Sequence, residues 1–155
     1  MTIHAEAFTE SRFLASPHAG VFGQWEKVSF FQSAGFPRLY EGIPGHTFLR
    51  VVATDHNKEL LSCMLVHISG SPGWMRYLTT KAVVWHGPVW GISPSSEVLA
   101  SMLETLHRTL PRHTLFCQFR NQSECPEELT RMFSRMGYRF ADRLNLITPI
   151  TDIQA

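Results

Sequence analysis

Two polar residues, Arg120 and Asn121, end an otherwise apolar run, TLFCQFRN at 114–121. An arginine presents a planar fork of donors that matches a carboxylate or phosphate, and an asparagine beside it adds an amide donor and acceptor. Position matters as much as type. A short apolar run between two helical patterns reads as a central strand of an α/β sheet, and ligands collect outside the carboxyl ends of such strands. The same residues also fit a structural part, with Arg120 paired to Glu124 or Glu127 and Asn121 forming the turn. The sequence leaves the two accounts level.

Other candidate chemistry is sparse. The eight histidines, at 4, 18, 46, 56, 67, 86, 107 and 113, include no HxH or HxxxH pair, so no metal site is expected. His86 is distinguished only by standing before the Gly87-Pro88 break. There is no GxSxG elbow and no P-loop. Cys125 precedes Pro126 at an expected helix start, where a helix dipole lowers a thiol pKa, but no base is assigned to it. Arg131 and Arg135 share a helix face with Glu127, which fits a solvated ladder or a phosphate- or RNA-contacting surface. Trp25, Trp74, Trp85 and Trp90 suit packing in a core or rim, or stacking on a ligand.

Composition bounds the rest. A chain of 155 residues with 44% hydrophobic and 17% charged residues is globular and suits one domain. The net charge of +1 gives no global field toward nucleic acid or an anionic membrane, though local patches remain open. Three cysteines without a CxxC pair point to a reducing compartment. No signal peptide and no transmembrane segment is read, so a cytoplasmic location is expected.

The elements that must position Arg120 follow from periodicity. Residues 1–20 make a poor strand or helix. The Phe30-Phe31 pair anchors the entry to a short helix that Ser33 caps, with Pro37 in its first turn and Gly42, Pro44 and Gly45 beyond its end. His46–Thr54 and Leu60–Ser69 read as an antiparallel hairpin around Asp55-His56-Asn57-Lys58. Met75–Thr79 reads as a short edge strand, and Ala82–Val89 as a strand broken at Gly87-Pro88. Helices are predicted over Ser95–Leu110 and Pro126–Met136, with Gly137 closing the second. Thr114–Arg120 is expected between them as an interior strand, followed by extended pieces YRFAD and LNLITPI.

The order FFQSAGF…LYE, VVWHGPVWG, FCQFRNQSE and MGYRFADRLNLITPI resembles the amino-terminal half of FemABX-like proteins, from about Trp25 to Ile153. These are non-ribosomal aminoacyl or acyl transferases built from two GNAT-type domains. The resemblance implies an α/β (α+β) fold: a GNAT-like mixed β-sheet of about six or seven strands flanked by three or four helices. It implies that residues 1–155 form a single GNAT-like domain, the first half of a two-domain protein. The implied function is that of the substrate-side domain, acting on a cell-envelope, peptidoglycan-precursor-like acceptor. Aminoacyl-tRNA or another acyl donor would be reached through a second domain. A homodimer or partner domain would complete the groove, and LNLITPI would face it; no DNA is implied.

The same resemblance places Arg120 and Asn121 on one wall of the groove between halves, with Arg38 and Tyr40 on the other. Tyr40 stands where some precursor binders place a lysine. A CoA-binding GNAT carries an Arg/Gln-x-x-Gly-x-Gly/Ala loop after its fourth strand, where this chain reads GPVWGISPSS at 87–96. Without consecutive small residues the backbone amides do not close around a pyrophosphate, so no cofactor is expected. Two other functions fit the same residues: a stand-alone, non-catalytic GNAT-like binding module, and a CoA-dependent N-acyltransferase.

Overall fold

A computed structural model describes residues 2–25, 28–120 and 126–141. The fold is built outward from its hairpin. His46–Thr54 (β2) and Leu60–Ser69 (β3) pair antiparallel from His46 opposite Ser69 to Thr54 opposite Leu60. Asp55 sets the turn. Its Oδ1 accepts from the backbone N–H groups of Asn57 at 2.8 Å and Glu59 at 2.9 Å, while Lys58 takes a left-handed φ of 65°. Asp is favoured there because its carboxylate satisfies the backbone donors that the turn leaves open.

Both hairpin strands bury apolar residues on their two faces because the sheet is covered on both sides. Val51, Ala53, Met64 and Val66 face the layer formed by Ser96–Thr109, and Val52 with Cys63 faces the opposite layer. That opposite layer consists of two short helices, α1 (Glu10–Leu14) and α2 (Pro17–Phe22), which contribute Phe13 and Phe22. The strand His4–Thr9 (β1) lies outside β2, and Lys81–Trp85 (β4) lies beside β3. Val89–Trp90 (β5) rejoins β3, and Phe116–Arg120 (β6) runs parallel to β4.

Two further one-turn helices are α3 (Gly35–Arg38) and α4 (Arg76–Thr79). The long helix Ser96–Thr109 (α5) turns Val98, Met102 and Leu106 to the sheet, and Leu99 and Leu103 to Leu129 and Phe133 of Glu127–Arg135 (α6). Gly137, at φ 86°, ends α6. Its N–H donates to Ser134 O at 3.0 Å, and the Tyr138 N–H donates to Phe133 O at 2.9 Å. This is the Schellman pattern, and the Phe133–Tyr138 ring contact at 5.5 Å supplies its usual apolar partner.

The hairpin, both long helices and the strand before them stand where periodicity puts them. Four expectations need correction. Residues 1–20 hold β1, α1 and α2. The inward residues of β1 are Ala5 and Ala7, whose small side chains give little alternation to read, and α1 and α2 are too short for helical periodicity. Met75–Thr79 is helical, not a strand: Thr79 Oγ1 donates to Met75 O at 2.9 Å, and Thr80 Oγ1 donates to Arg76 O at 2.6 Å. Such local side-chain bonds favour a turn over a ladder.

Helix number is the third. Six α-helices are present among the described residues, not three or four, the surplus being segments of four to six residues. Lastly, β6 pairs on one side only among the described residues, with β4, so the expected interior position is not found there. Tyr138–Ala141 of the YRFAD piece is irregular, and LNLITPI at 144–150 lies outside the described residues. Among the described residues the sheet has six strands in the order β1-β2-β3-β4-β6, with β5 on β3. No described helix is long and apolar enough to cross a membrane.

Candidate functional site

The sheet forks at Trp85. Up to that residue β4 pairs with both β3 and β6, ending with Trp85 opposite Arg120 and the His86 N–H donating to Arg120 O at 3.0 Å. His86 then takes a left-handed φ of 51°, Gly87-Pro88 is a cis peptide, and β5 continues along β3 alone. Proline has no N–H for a ladder, so pairing is interrupted where the sequence places it.

One side chain holds the fork open. Gln32, in the 3₁₀ turn Phe30–Gln32, is fully buried. Its Oε1 accepts from the Leu65 N–H at 2.7 Å, and its Nε2 donates to Trp85 O at 2.5 Å and Leu65 O at 3.4 Å. The amide thus stands in for the strand that leaves. Gly87 lies against it: a Cβ there would come within 2.8 Å of Gln32 Nε2 and 2.9 Å of Val84 Cγ1. Only glycine fits without displacing the plug.

Arg120 occupies the mouth. Its guanidinium lies 4.5 Å over the Trp85 ring, and its Nε donates to Gln118 Oε1 at 3.0 Å. Glu127, one of its expected structural partners, instead faces Arg131 at 3.7 Å, and Glu124 lies outside the described residues. The two terminal nitrogens of Arg120 therefore make no hydrogen bond to a described residue. Nearby, Trp85 Nε1 and His86 Nε2 are buried with no hydrogen-bond partner among the described residues. Both rings touch Phe31, at 5.5 and 5.2 Å. Unmade bonds of buried polar groups are costly, and an incoming acceptor group would satisfy them.

Tyr40 stands at the other end of the same aromatic train. Phe31 meets Phe36 at 5.3 Å, and Phe36 meets Tyr40 at 5.5 Å. Tyr40 packs on His46 at 4.8 Å and His67 at 4.6 Å. Arg120 and Tyr40 are thus linked through Trp85, Phe31 and Phe36 without touching. Arg38 is exposed on the last turn of α3 and joins neither group, and Asn121 lies outside the described residues. Ser33 does not cap α3 as expected; its Oγ accepts from the Gly35 N–H at 3.2 Å in the turn before it.

The residues missed by sequence reasoning are Gln32, Phe31 and the His46–His67 pair. The available signal was a lone amide, Gln32, directly after two phenylalanines. Nothing in the spacing joins His46 to His67, which meet Nδ1 to Nε2 at 2.8 Å only because β2 and β3 pair. Burial holds the His67 pKa down at about 4, with the charges of His46 and Lys81 acting in the same direction. Between about pH 4 and the ordinary 6.5, the unfolded chain binds a proton at His67 that the folded chain does not. Stability is therefore expected to be full above that window and to fall as pH drops through it. Melting temperatures against pH for wild type and His67→Gln check this: the variant should lose the part of the decline between those values.

Metal and thiol chemistry gain little. Among the described residues no three His, Cys, Asp or Glu side chains are grouped to hold a metal. Burial pushes the Cys63 thiol up to about 12 and raises that of Cys117, which keeps both protonated. A separate cavity of about 350 Å³ lies at the start of α5, lined by Ser96, Glu128, Arg131, Met132 and Arg135.

No protein-family model matches this chain, and no curated protein matches it. Solved structures do. A ribosomal-protein-alanine N-acetyltransferase from Brucella melitensis biovar Abortus 2308 aligns with TM-score 0.56 at 10% identity, over 96% of this chain and 100% of its own. An aminoglycoside 6'-N-acetyltransferase from Acinetobacter baumannii aligns with TM-score 0.55 at 10% identity, over 97% and 100%. A protein described as a transcriptional regulator from Bacillus halodurans C-125 gives 0.55 at 8% identity, over 95% and 99%. At such identities the likeness defines the fold, and the fold is that of the GNAT acetyltransferases.

Proposed function

We propose that this chain is the substrate-side domain of a FemABX-like acyl- or aminoacyltransferase, acting on a cell-envelope, peptidoglycan-precursor-like acceptor. The observation that carries the proposal is Arg120. Gln118 and Trp85 orient its guanidinium at the fork, where its terminal nitrogens make no hydrogen bond to a described residue. An arginine oriented this way suits a carboxylate or phosphate, which peptidoglycan precursors carry in both the peptide and the diphosphate. The GNAT fold supports an acyl-transfer role, and the FemABX resemblance supports this acceptor. The donor, aminoacyl-tRNA or another acyl carrier, is assigned to a second domain.

A CoA-dependent N-acyltransferase is the second reading, favoured by the cavity at the start of α5 with its two arginines. Against it, Pro94 removes a backbone donor from the segment leading into α5, Trp90 and Ile92 are bulky, and Glu128 sets a carboxylate in the cavity.

Titration calorimetry of the full chain separates the readings, with a soluble UDP-linked muramoyl pentapeptide and acetyl-CoA as probes. The muramoyl peptide is expected to bind, and Arg120→Ala to weaken it by about 1.5–3 kcal/mol, roughly 10- to 150-fold, with little change in melting temperature. A large fall in melting temperature with unchanged affinity would make Arg120 structural. Saturable acetyl-CoA binding with no response to the muramoyl peptide would favour the second reading.

A further inference from the structure

The end of the sheet opposite the fork carries an exposed aromatic and aliphatic surface that the proposed site does not use. Trp74 is 71% exposed, Leu78 63%, Leu115 57%, Tyr77 53% and Phe116 51%. They come from two segments that the fold sets side by side. The Leu115 N–H donates to Thr80 O at 2.9 Å, the Tyr77 and His113 rings lie 5.2 Å apart, and Lys81 stands opposite Phe116 in the β4–β6 register. A contiguous apolar surface of this kind marks an interaction site.

Its charge narrows the partner. Arg76, Lys81 and Arg112 are exposed on the same two segments. No Asp or Glu occurs between Glu59 and Glu97 or between Glu104 and Glu124, so neither segment supplies a negative charge. A chain of net charge +1 has therefore set three cations and no carboxylate on the two segments that hold its most exposed tryptophan. A second copy is a poor match, because a two-fold contact would set these like charges against each other. Leucine beside tryptophan and tyrosine, ringed by arginine and lysine, is the composition that seats in a bilayer interface, with the rings at headgroup level and the cations on anionic lipid.

We infer that the surface formed by Gly73–Lys81 and Arg112–Phe116 docks the protein on an anionic lipid bilayer. Docking by this end leaves the fork free, since Lys81 and Trp85 are separated by about 13 Å of strand, at about 3.3 Å per residue. The inference stands on exposure and charge alone, and it holds or fails independently of the acceptor assigned to Arg120.

Vesicle co-sedimentation of the full chain tests it, with phosphatidylcholine vesicles prepared with and without phosphatidylglycerol. Binding is expected only to the anionic vesicles, weakening as salt is raised, with a blue shift in tryptophan emission that Trp74→Phe removes. Charge reversal at Arg76, Lys81 and Arg112 should weaken binding by roughly 5-fold or more per residue. Trp74→Ala with Leu78→Ser should abolish it while leaving the melting temperature unchanged, because both side chains are exposed. Equal binding to both vesicle types, or none to either at low salt, would overturn the inference. So would a wild-type dimer that shields Trp74, or binding to a single-stranded oligonucleotide in place of vesicles.

Discussion

Glu10→Ala is expected to destabilise the protein by about 3–5 kcal/mol, an effect at the top of the range for one side chain. Arg50 is wholly buried in the middle of β2, and its one carboxylate partner among the described residues is Glu10, with Nη2 donating to Oε1 at 2.8 Å and Nε to Oε2 at 3.1 Å. The Phe13 and Phe22 rings lie 4.5 and 5.0 Å from its guanidinium. Removing the carboxylate strands a positive charge among aromatic rings, with the Gln32 carbonyl at 2.8 Å and the weaker Cys63 Sγ at 3.9 Å left to accept from Nη1. Replacing both partners with methionine removes the charge with the bond and should recover most of the loss. Denaturant titration of wild type, single and double variants reads this directly. A single-variant cost below about 1 kcal/mol would mean that the pair behaves as a surface bridge.

Gln32→Leu is the second large effect, expected at about 2–6 kcal/mol. The change keeps the side chain's approximate size and deletes its polar atoms. The Leu65 N–H and the Trp85 carbonyl lose their partners inside the sheet, at about 1–3 kcal/mol each. The loss should also be local: amide exchange at Leu65 should accelerate well beyond that at Val51 or Val66. Uniform acceleration across β3 would show that Gln32 contributes bulk packing and does not brace the fork. The two predictions are coupled. Arg50 binds the Gln32 carbonyl, so the Glu10 pair holds in place the residue whose amide fills the gap beside Trp85.

The sequence disclosed what is long, periodic or locally bonded. The hairpin occupies the expected residues, His46–Thr54 and Leu60–Ser69, because two strand-length segments rich in apolar residues around an Asp-initiated turn have few alternatives. The α5 helix is similar: Val98, Met102 and Leu106 recur at helical spacing and bury one face. The N-terminal layer was hidden because Ala5 and Ala7 carry little signal and one-turn helices have no period. The environment of Arg120 was half legible. Its place at a strand end followed from the run before it, but its partners come from pairing. Gln118 shares its face of β6, and Trp85 is its register neighbour on β4, whereas sequence proximity suggested Glu127. Gln32 was barely legible for the same reason: its place after two phenylalanines was the one local hint, and the groups it bonds, on Leu65 and Trp85, lie far along the chain.

The central claim, that the acceptor enters at the fork beside Arg120, is tested most directly by amide NMR during titration with the UDP-linked muramoyl peptide. The account predicts shifts concentrated at Phe31, Gln32, Trp85 to Gly87 and Arg120, with the Trp85 indole proton moving downfield as its nitrogen gains an acceptor. Shifts confined to Ser96 and the Glu128–Arg135 face of α6, with the Trp85 indole unmoved, would contradict it.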